Sequence, residues 1–125
     1  MSDSARARTV AVIGASGDPA KYGNKAVRAY LRQGWTVYPI TPMPDPIEGL
    51  TPFRSILDVP GDIDRATIYL PPEIGIRVLS EIARKGVGEF YVNPGAESDA
   101  LLEEARRLGL DPIVACSIVA IGERP

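Results

Sequence analysis

No histidine occurs anywhere in the 125 residues. That absence removes the commonest general base and the commonest transition-metal ligand, and it excludes any Ser-His or Cys-His nucleophile. Cysteine is almost missing as well: Cys116 stands alone, so no internal disulfide can form. No apolar run approaches the ~18 residues that a membrane span needs. The opening stretch, Met1 to Arg8, is polar and lacks the apolar core of a signal peptide. The expected compartment is the cytosol, with no membrane partner. An excess of positive charge is lacking too. The net charge of −2 argues against a broad nucleic-acid surface, yet leaves room for a local basic pocket.

What is present fits one soluble domain. Hydrophobic residues make up 45% and charged residues 24%, ordinary shares for a globular chain. Thr9 to Ile13 is a continuous apolar run ending in Gly14, the pattern of a strand buried on both faces. A loop to Gly23 follows, then a helix over Asn24 to Gln33 with Ala26, Val27, Tyr30 and Leu31 on one face. Trp35 to Ile40 reads as the second strand, and Thr41 to Pro46 as a proline-dense loop. Gly49 to Phe53 is expected to add a short edge strand, and Ser55 to Val59 a helical turn.

The second half continues the alternation. Strands are expected at Ala66 to Leu70, Glu89 to Val92 and Pro112 to Ala115. Between them lie a helix over Glu73 to Lys85, with Ile74, Val78, Leu79 and Ile82 inward, and a helix capped by Ser98 and running to Leu108. Gly34, Gly86 and Gly109 each close a helix just before a strand. Strands alternating with helices imply one doubly wound α/β domain with a parallel sheet and right-handed crossovers. Both ends, about eight residues at the start and Gly122 to Pro125, are expected to be loose.

In such a fold the ligand lies across the loops leaving the carboxyl ends of the strands. The first of these loops holds Gly14, Ala15, Ser16, Lys21, Tyr22 and Lys25. Small residues let backbone amides approach a phosphate, the helix behind adds its positive end, and the lysines add charge. Asp18 is expected to point away from that anion. The loop is not the Gly-x-Gly-x-x-Gly fingerprint, because Ser16 stands where the second glycine belongs. A looser Gly14-x-x-Gly17-x-x-Ala20 spacing does resemble some NADP enzymes. Nothing directly after the second strand, however, supplies an acid or an arginine for a nicotinamide cofactor's ribose. Pro42, Pro71, Pro72 and Pro94 share an address at strand ends and offer apolar wall. Asn93 could offer a side-chain amide and Gly95 a backbone donor. Cys116, just past the last strand, is either inert packing or a contact for a ligand thiol. Among the aromatic residues, Tyr22 is the one placed near the ligand.

Seven short segments in order resemble the small CoA-binding proteins related to the N-terminal domain of the succinyl-CoA synthetase α subunit. They are residues 10–16, Lys21-Tyr22-Gly23-Asn24-Lys25, residues 38–42, residues 55–60, residues 69–73, Asn93-Pro94-Gly95-Ala96-Glu97, and residues 115–122. The resemblance implies a Rossmann-like, three-layer α/β/α domain with five or six parallel strands and coenzyme A across the strand ends. It places the diphosphate at Gly14, Ala15 and Ser16, and the adenosine near Thr41 and Pro42. The pantetheine arm runs toward Pro71, Pro72, Asn93, Pro94 and Cys116. Relatives often carry Asn-Pro-Lys after the second strand, whereas this chain has Thr41-Pro42-Met43. The CoA 3′-phosphate would then fall to Lys21, Lys25 or Arg54. The synthetase's phosphorylated histidine has no counterpart, so synthetase chemistry is not carried over.

The leading expectation is therefore a non-enzymatic CoA or acyl-CoA binding module acting as carrier, sensor or subunit. An NAD(P)-binding redox enzyme or sensor is the first alternative. A protein-interaction module with a vestigial pocket is the second. A homodimer or a larger assembly is compatible with each.

Overall fold

Burial on both faces of β1 (Thr9–Ile13) sets the architecture. Val10 and Val12 face one core, and Ala11 and Ile13 face another. A strand that buries both faces must have helices on both sides. The computed structural model describes residues 7–125. Its strands are β1, β2 (Thr36–Ile40), β3 (Ile63–Ile68), β4 (Val87–Val92) and β5 (Pro112–Val114). All pair in parallel, in the order β2-β1-β3-β4-β5. The helices are α1 (Tyr22–Arg32), α2 (Pro72–Gly75), α3 (Leu79–Lys85), α4 (Asp99–Arg107) and α5 (Ser117–Ala120). Helix α1 and the Ile118 side chain of α5 close one face, while α3 and α4 close the other. This is the doubly wound, three-layer domain expected, with five strands. The order reverses between β1 and β3, and ligand crevices of such sheets open at that point.

Several boundaries differ from the sequence pattern, each for a local reason. Helix α1 begins at Tyr22 rather than Asn24, with Lys21 as an extended cap that gives no side-chain bond. Leu31 is not buried by it, being 37% exposed. No edge strand forms over 49–53. Pro52 has no N–H to give, and only Phe53 bridges Ile40, while Ile47 and Leu50 close a tight turn on each other. Strand β3 starts three residues earlier than expected and stops at Ile68. Its polar start, Asp64-Arg65, hid it, yet Arg65 is buried and paired with Glu89. Strand β4 likewise starts at Val87.

The long helix expected over 73–85 is broken. Helix α2 gives way to a tight 3-10 turn at Ile76–Val78 before α3. A Cβ at Gly75 would lie 3.0 Å from Ile68 and 3.2 Å from Leu101, so the chain runs close to the sheet here. Ile74 consequently turns out to solvent, while Leu79 and Ile82 are fully buried. Ser98 caps α4 as expected, its hydroxyl accepting from the Leu101 N–H at 3.1 Å.

Helix α5 falls where the sequence pattern gave no element. Beyond it Glu123 accepts from Arg32 at 2.9 Å and Gln33 at 2.6 Å, so the segment 122–125 is tied to α1 rather than loose. The expectation for the first residues falls on 1–6, outside the described residues.

Candidate functional site

The carboxyl ends of the strands open into one cavity of about 1150 Å3. Gly14, Ala15 and Ser16 line it from the turn after β1, and Lys21 and Tyr22 from the start of α1. Thr41, Pro42 and Met43 contribute from the loop after β2, and Pro71 from that after β3. Asn93, Pro94 and Gly95 follow β4, and Cys116 follows β5. Of the residues singled out from sequence, Lys25 and Pro72 do not line it. The Lys25 ammonium sits 4.7 Å over the Tyr22 ring, and Pro72 opens α2. Among the described lining residues, Lys21 and Arg54 carry the charged side chains and no Asp or Glu takes part. Both charged side chains of the lining are thus cationic, inside a chain of negative net charge.

The turn after β1 is seated by two glycines. Gly14 has φ +93°, and a Cβ there would meet the Tyr69 carbonyl oxygen at 2.8 Å. Gly23, in the first turn of α1, runs so close to Gly14 that a Cβ would lie 2.2 Å from the Gly14 carbonyl oxygen. The helix start therefore rests directly on the turn.

The donors of that turn lie further along the chain than expected. Gly14 and Ala15 both give their N–H groups to the Ile40 carbonyl, at 3.0 and 3.3 Å, so they extend the sheet rather than face a ligand. The N–H groups of Ser16, Tyr22 and Gly23 find no acceptor among the described residues. All three residues line the cavity, and the positive end of an eleven-residue helix reinforces them. The Ser16 hydroxyl accepts from the Asp18 N–H at 3.0 Å, which leaves its own proton to donate. Asp18 turns to the Ala20 N–H at 3.0 Å and is not among the cavity residues.

Asn24, which the sequence reading passed over, holds this turn in place. It is fully buried, and its Nδ2 donates to the Ser16 carbonyl at 2.9 Å and to Glu48 at 3.1 Å. Its Oδ1 accepts from Arg28 Nε at 2.7 Å. The Ser16–Gly17 peptide is planar and trans, so drawing the Ser16 carbonyl toward Asn24 turns the Gly17 N–H the opposite way. The signal was present in the sequence: Asn24 sits three residues before Val27 on the buried stripe of α1, where an apolar residue belongs.

The opposite wall is built differently. Asn93 is buried, and its Nδ2 donates to Thr67 Oγ1 at 2.7 Å and to the Ile68 carbonyl at 2.9 Å. Its Oδ1 accepts from the Ser117 N–H at 2.8 Å. Both side-chain donors are spent, so Asn93 pins β3, β4 and α5 together and has no side-chain N–H left for a ligand. Ser117 Oγ completes the knot with Thr67 at 2.8 Å and Tyr69 at 3.2 Å. Burial pushes the Tyr69 phenol well above its ordinary value, ahead of the opposing hydrogen bonds from Ser117 and Thr67, so it stays neutral. The Gly95 N–H is also committed, to the Glu97 carboxylate at 2.7 Å. Cys116 is half-buried in this wall. Pro71, Pro94, Val119 and Leu70 give the rest of the surface, which is apolar.

A third wall follows β2. Thr41 donates its N–H to the Phe53 carbonyl at 2.9 Å, and Phe53 donates to the Pro39 carbonyl at 2.9 Å. These bonds hold the segment that carries Arg54 beside the end of β2. The Thr41 hydroxyl accepts from the Met43 N–H at 3.3 Å, and Met43 itself is 63% exposed at the rim.

A turn with unpartnered N–H groups, a largely apolar wall and a cation beside β2 thus surround one cavity. Over residues 8–122 the chain matches the model of the CoA binding domain. The chain belongs to that family. Among curated proteins it is similar to the α subunit of the ADP-forming acetate–CoA ligase II of Pyrococcus furiosus. The two are 33% identical over 114 residues, covering 82% of this chain and 25% of that one. The ADP-forming acetate–CoA ligase of Methanocaldococcus jannaschii is 39% identical over 89 residues, 70% of this chain and 13% of the ligase. The chain thus spans a quarter or less of these relatives. A solved conserved hypothetical protein of Pyrococcus furiosus superposes with a TM-score of 0.82 at 34% identity, covering 90% of this chain and 98% of that one. The apo form of a dinucleotide-forming acetyl-coenzyme A synthetase of Ca. Korarchaeum cryptofilum gives 0.71 at 29% identity, over 86% of this chain and 26% of that one.

Proposed function

We propose that this CoA-binding domain holds coenzyme A or an acyl-CoA in the cavity at the strand ends and performs no bond-making of its own. The observation that carries this reading is the division of labour around the cavity. Unpartnered N–H groups of Ser16, Tyr22 and Gly23, with Lys21, gather at one end, and a neutral, largely apolar wall in which the Asn93 side-chain amide is fully committed forms the other. The first end suits a diphosphate and the second a pantetheine arm. The volume exceeds the ~300–1,000 Å3 usual for small-molecule pockets, which favours a long ligand over a compact metabolite. Cys116 stands in the arm's wall, where a thiol or acyl group would end. A cytoplasmic carrier, sensor or subunit module is the proposed role, the last because a relative is named as a ligase subunit.

Isothermal titration of ligand-free protein with CoA tests the reading. Saturable binding at one site is expected, and Ser16→Ala combined with Lys21→Gln should weaken it. Folded protein that takes up no CoA at millimolar concentration would end the idea. Competition against NADP in the same cell separates it from a nicotinamide site: CoA should displace NADP, and the reverse order would favour a redox protein.

A further inference from the structure

We infer that Arg54 reads the phosphate monoester on the adenosine ribose, so that the site distinguishes CoA from its 3′-dephosphorylated form. The inference rests on the CoA reading given above and adds a specificity residue to it. In doubly wound sheets the ribose of a bound nucleotide lies beside the end of the second strand, and a side chain placed there selects among ribose substituents. Here the loop leaving β2 supplies only Thr41, Pro42 and Met43 to the cavity, none of them charged. The cation comes instead from a segment that folds back against that strand end.

Phe53 fixes the backbone of this segment through its two hydrogen bonds to Pro39 and Thr41, at 2.9 Å each. On the other side Ser55 is fixed as well. Its hydroxyl accepts from the Leu57 N–H at 3.1 Å and donates to Glu81 at 2.7 Å. Arg54 is thus held between two anchored neighbours. Its own side chain is exposed, lines the cavity and makes no ion pair or hydrogen bond with any described residue. A guanidinium fork suits a phosphate monoester, two of whose terminal oxygens can accept its parallel N–H bonds. Lys21, the other cation among the lining residues, caps the start of α1 next to Tyr22 and Gly23, whose N–H groups are the donors assigned to the diphosphate. The two charges are therefore assigned to different phosphates.

The test compares the dissociation constants of CoA and 3′-dephospho-CoA by isothermal titration, for the unmodified chain and for Arg54→Gln, with folding checked by circular dichroism. The unmodified chain should bind CoA about tenfold more tightly than dephospho-CoA, as expected for one charge-assisted contact near the surface. Arg54→Gln should remove that preference by weakening CoA alone, and Arg54→Lys should keep part of it. Lys21→Gln should weaken both ligands alike and leave their ratio standing. CoA binding without preference, or a preference that survives Arg54→Gln, overturns this inference while sparing the CoA reading. A failure to bind either ligand overturns both. A preference for NADP over NAD that Arg54→Gln abolishes, with none for CoA over dephospho-CoA, would give Arg54 to a different nucleotide and also overturn it.

Discussion

The two ends of the sheet solve opposite problems. At the amino ends of the strands, polar groups are tied to one another. The Arg65 guanidinium lies between the rings of Trp35 and Tyr91, 5.0 and 4.6 Å from their centroids. It also bonds Glu89 at 2.8 Å, and Glu89 takes a second cation, Arg8, at 2.9 Å. Thr9 and Asp64 close the neighbouring edge with a backbone N–H to carboxylate bond of 2.8 Å. At the carboxyl ends, by contrast, donors are left without protein partners and the cations Lys21 and Arg54 face a cavity. The contrast teaches where this domain keeps its stability and where it keeps its affinity. Substitutions at the closed end should move melting without moving binding, and substitutions at the open end should do the reverse.

The largest departure from that separation is expected at Gly23. Gly23→Ala would force a methyl to 2.2 Å from the Gly14 carbonyl oxygen, so α1 must lift off the turn. A loss of about 3 kcal/mol in denaturant-derived stability should accompany a complete loss of CoA binding in titration. Asn93→Leu comes next and also belongs to both classes. It strips the partner from the buried Ser117 N–H and from Thr67, a cost of about 2–3 kcal/mol. CoA affinity should fall with it as the wall from α5 loosens. Lys21→Gln sharpens the contrast from the open side: CoA should bind about tenfold more weakly with the melting temperature unchanged.

Glu89→Gln sharpens it from the closed side and should have the smallest effect. Burial pushes the Glu89 carboxyl up, but the hydrogen bonds and charges of Arg65 and Arg8 outweigh it and leave the group below its ordinary 4.5. A carboxyl depressed by folding adds stability that is present above its unfolded value and lost as pH falls through its folded one. At pH 7 Glu89→Gln should therefore melt below the unmodified chain, while binding CoA equally well. The gap should close as pH drops below 4.5. A gap that stays constant into acid would show that packing, not charge, holds the closed end together.

How much of this was legible in the sequence follows the same division. Apolar patterning located the strands and helices whose burial is simple, such as β1 and α1. It also placed the loops that face the cavity, because a parallel sheet puts them all at one end. It failed where a polar side chain is buried with a partner distant in sequence. Arg65 and Asp64 disguised the start of β3, since their partners Glu89 and Thr9 lie 24 and 55 residues away. Asn93 drew notice as a candidate ligand contact, but its commitment to Thr67 and Ser117 depends on tertiary placement that no local pattern encodes. The shift of donors from Gly14 and Ala15 to Ser16, Tyr22 and Gly23 has the same origin, because the Ile40 carbonyl that claims the first two belongs to another strand.

A helix of four residues, as α5 is, does not sustain itself in water. Its order is on loan from the Asn93 amide, the buried Ile118 side chain and the Glu123 contacts with α1. Amide hydrogen exchange should therefore report this segment opening as one unit, faster than the sheet that carries it. A ligand pressed against Val119 would slow that exchange from a distance of a single turn.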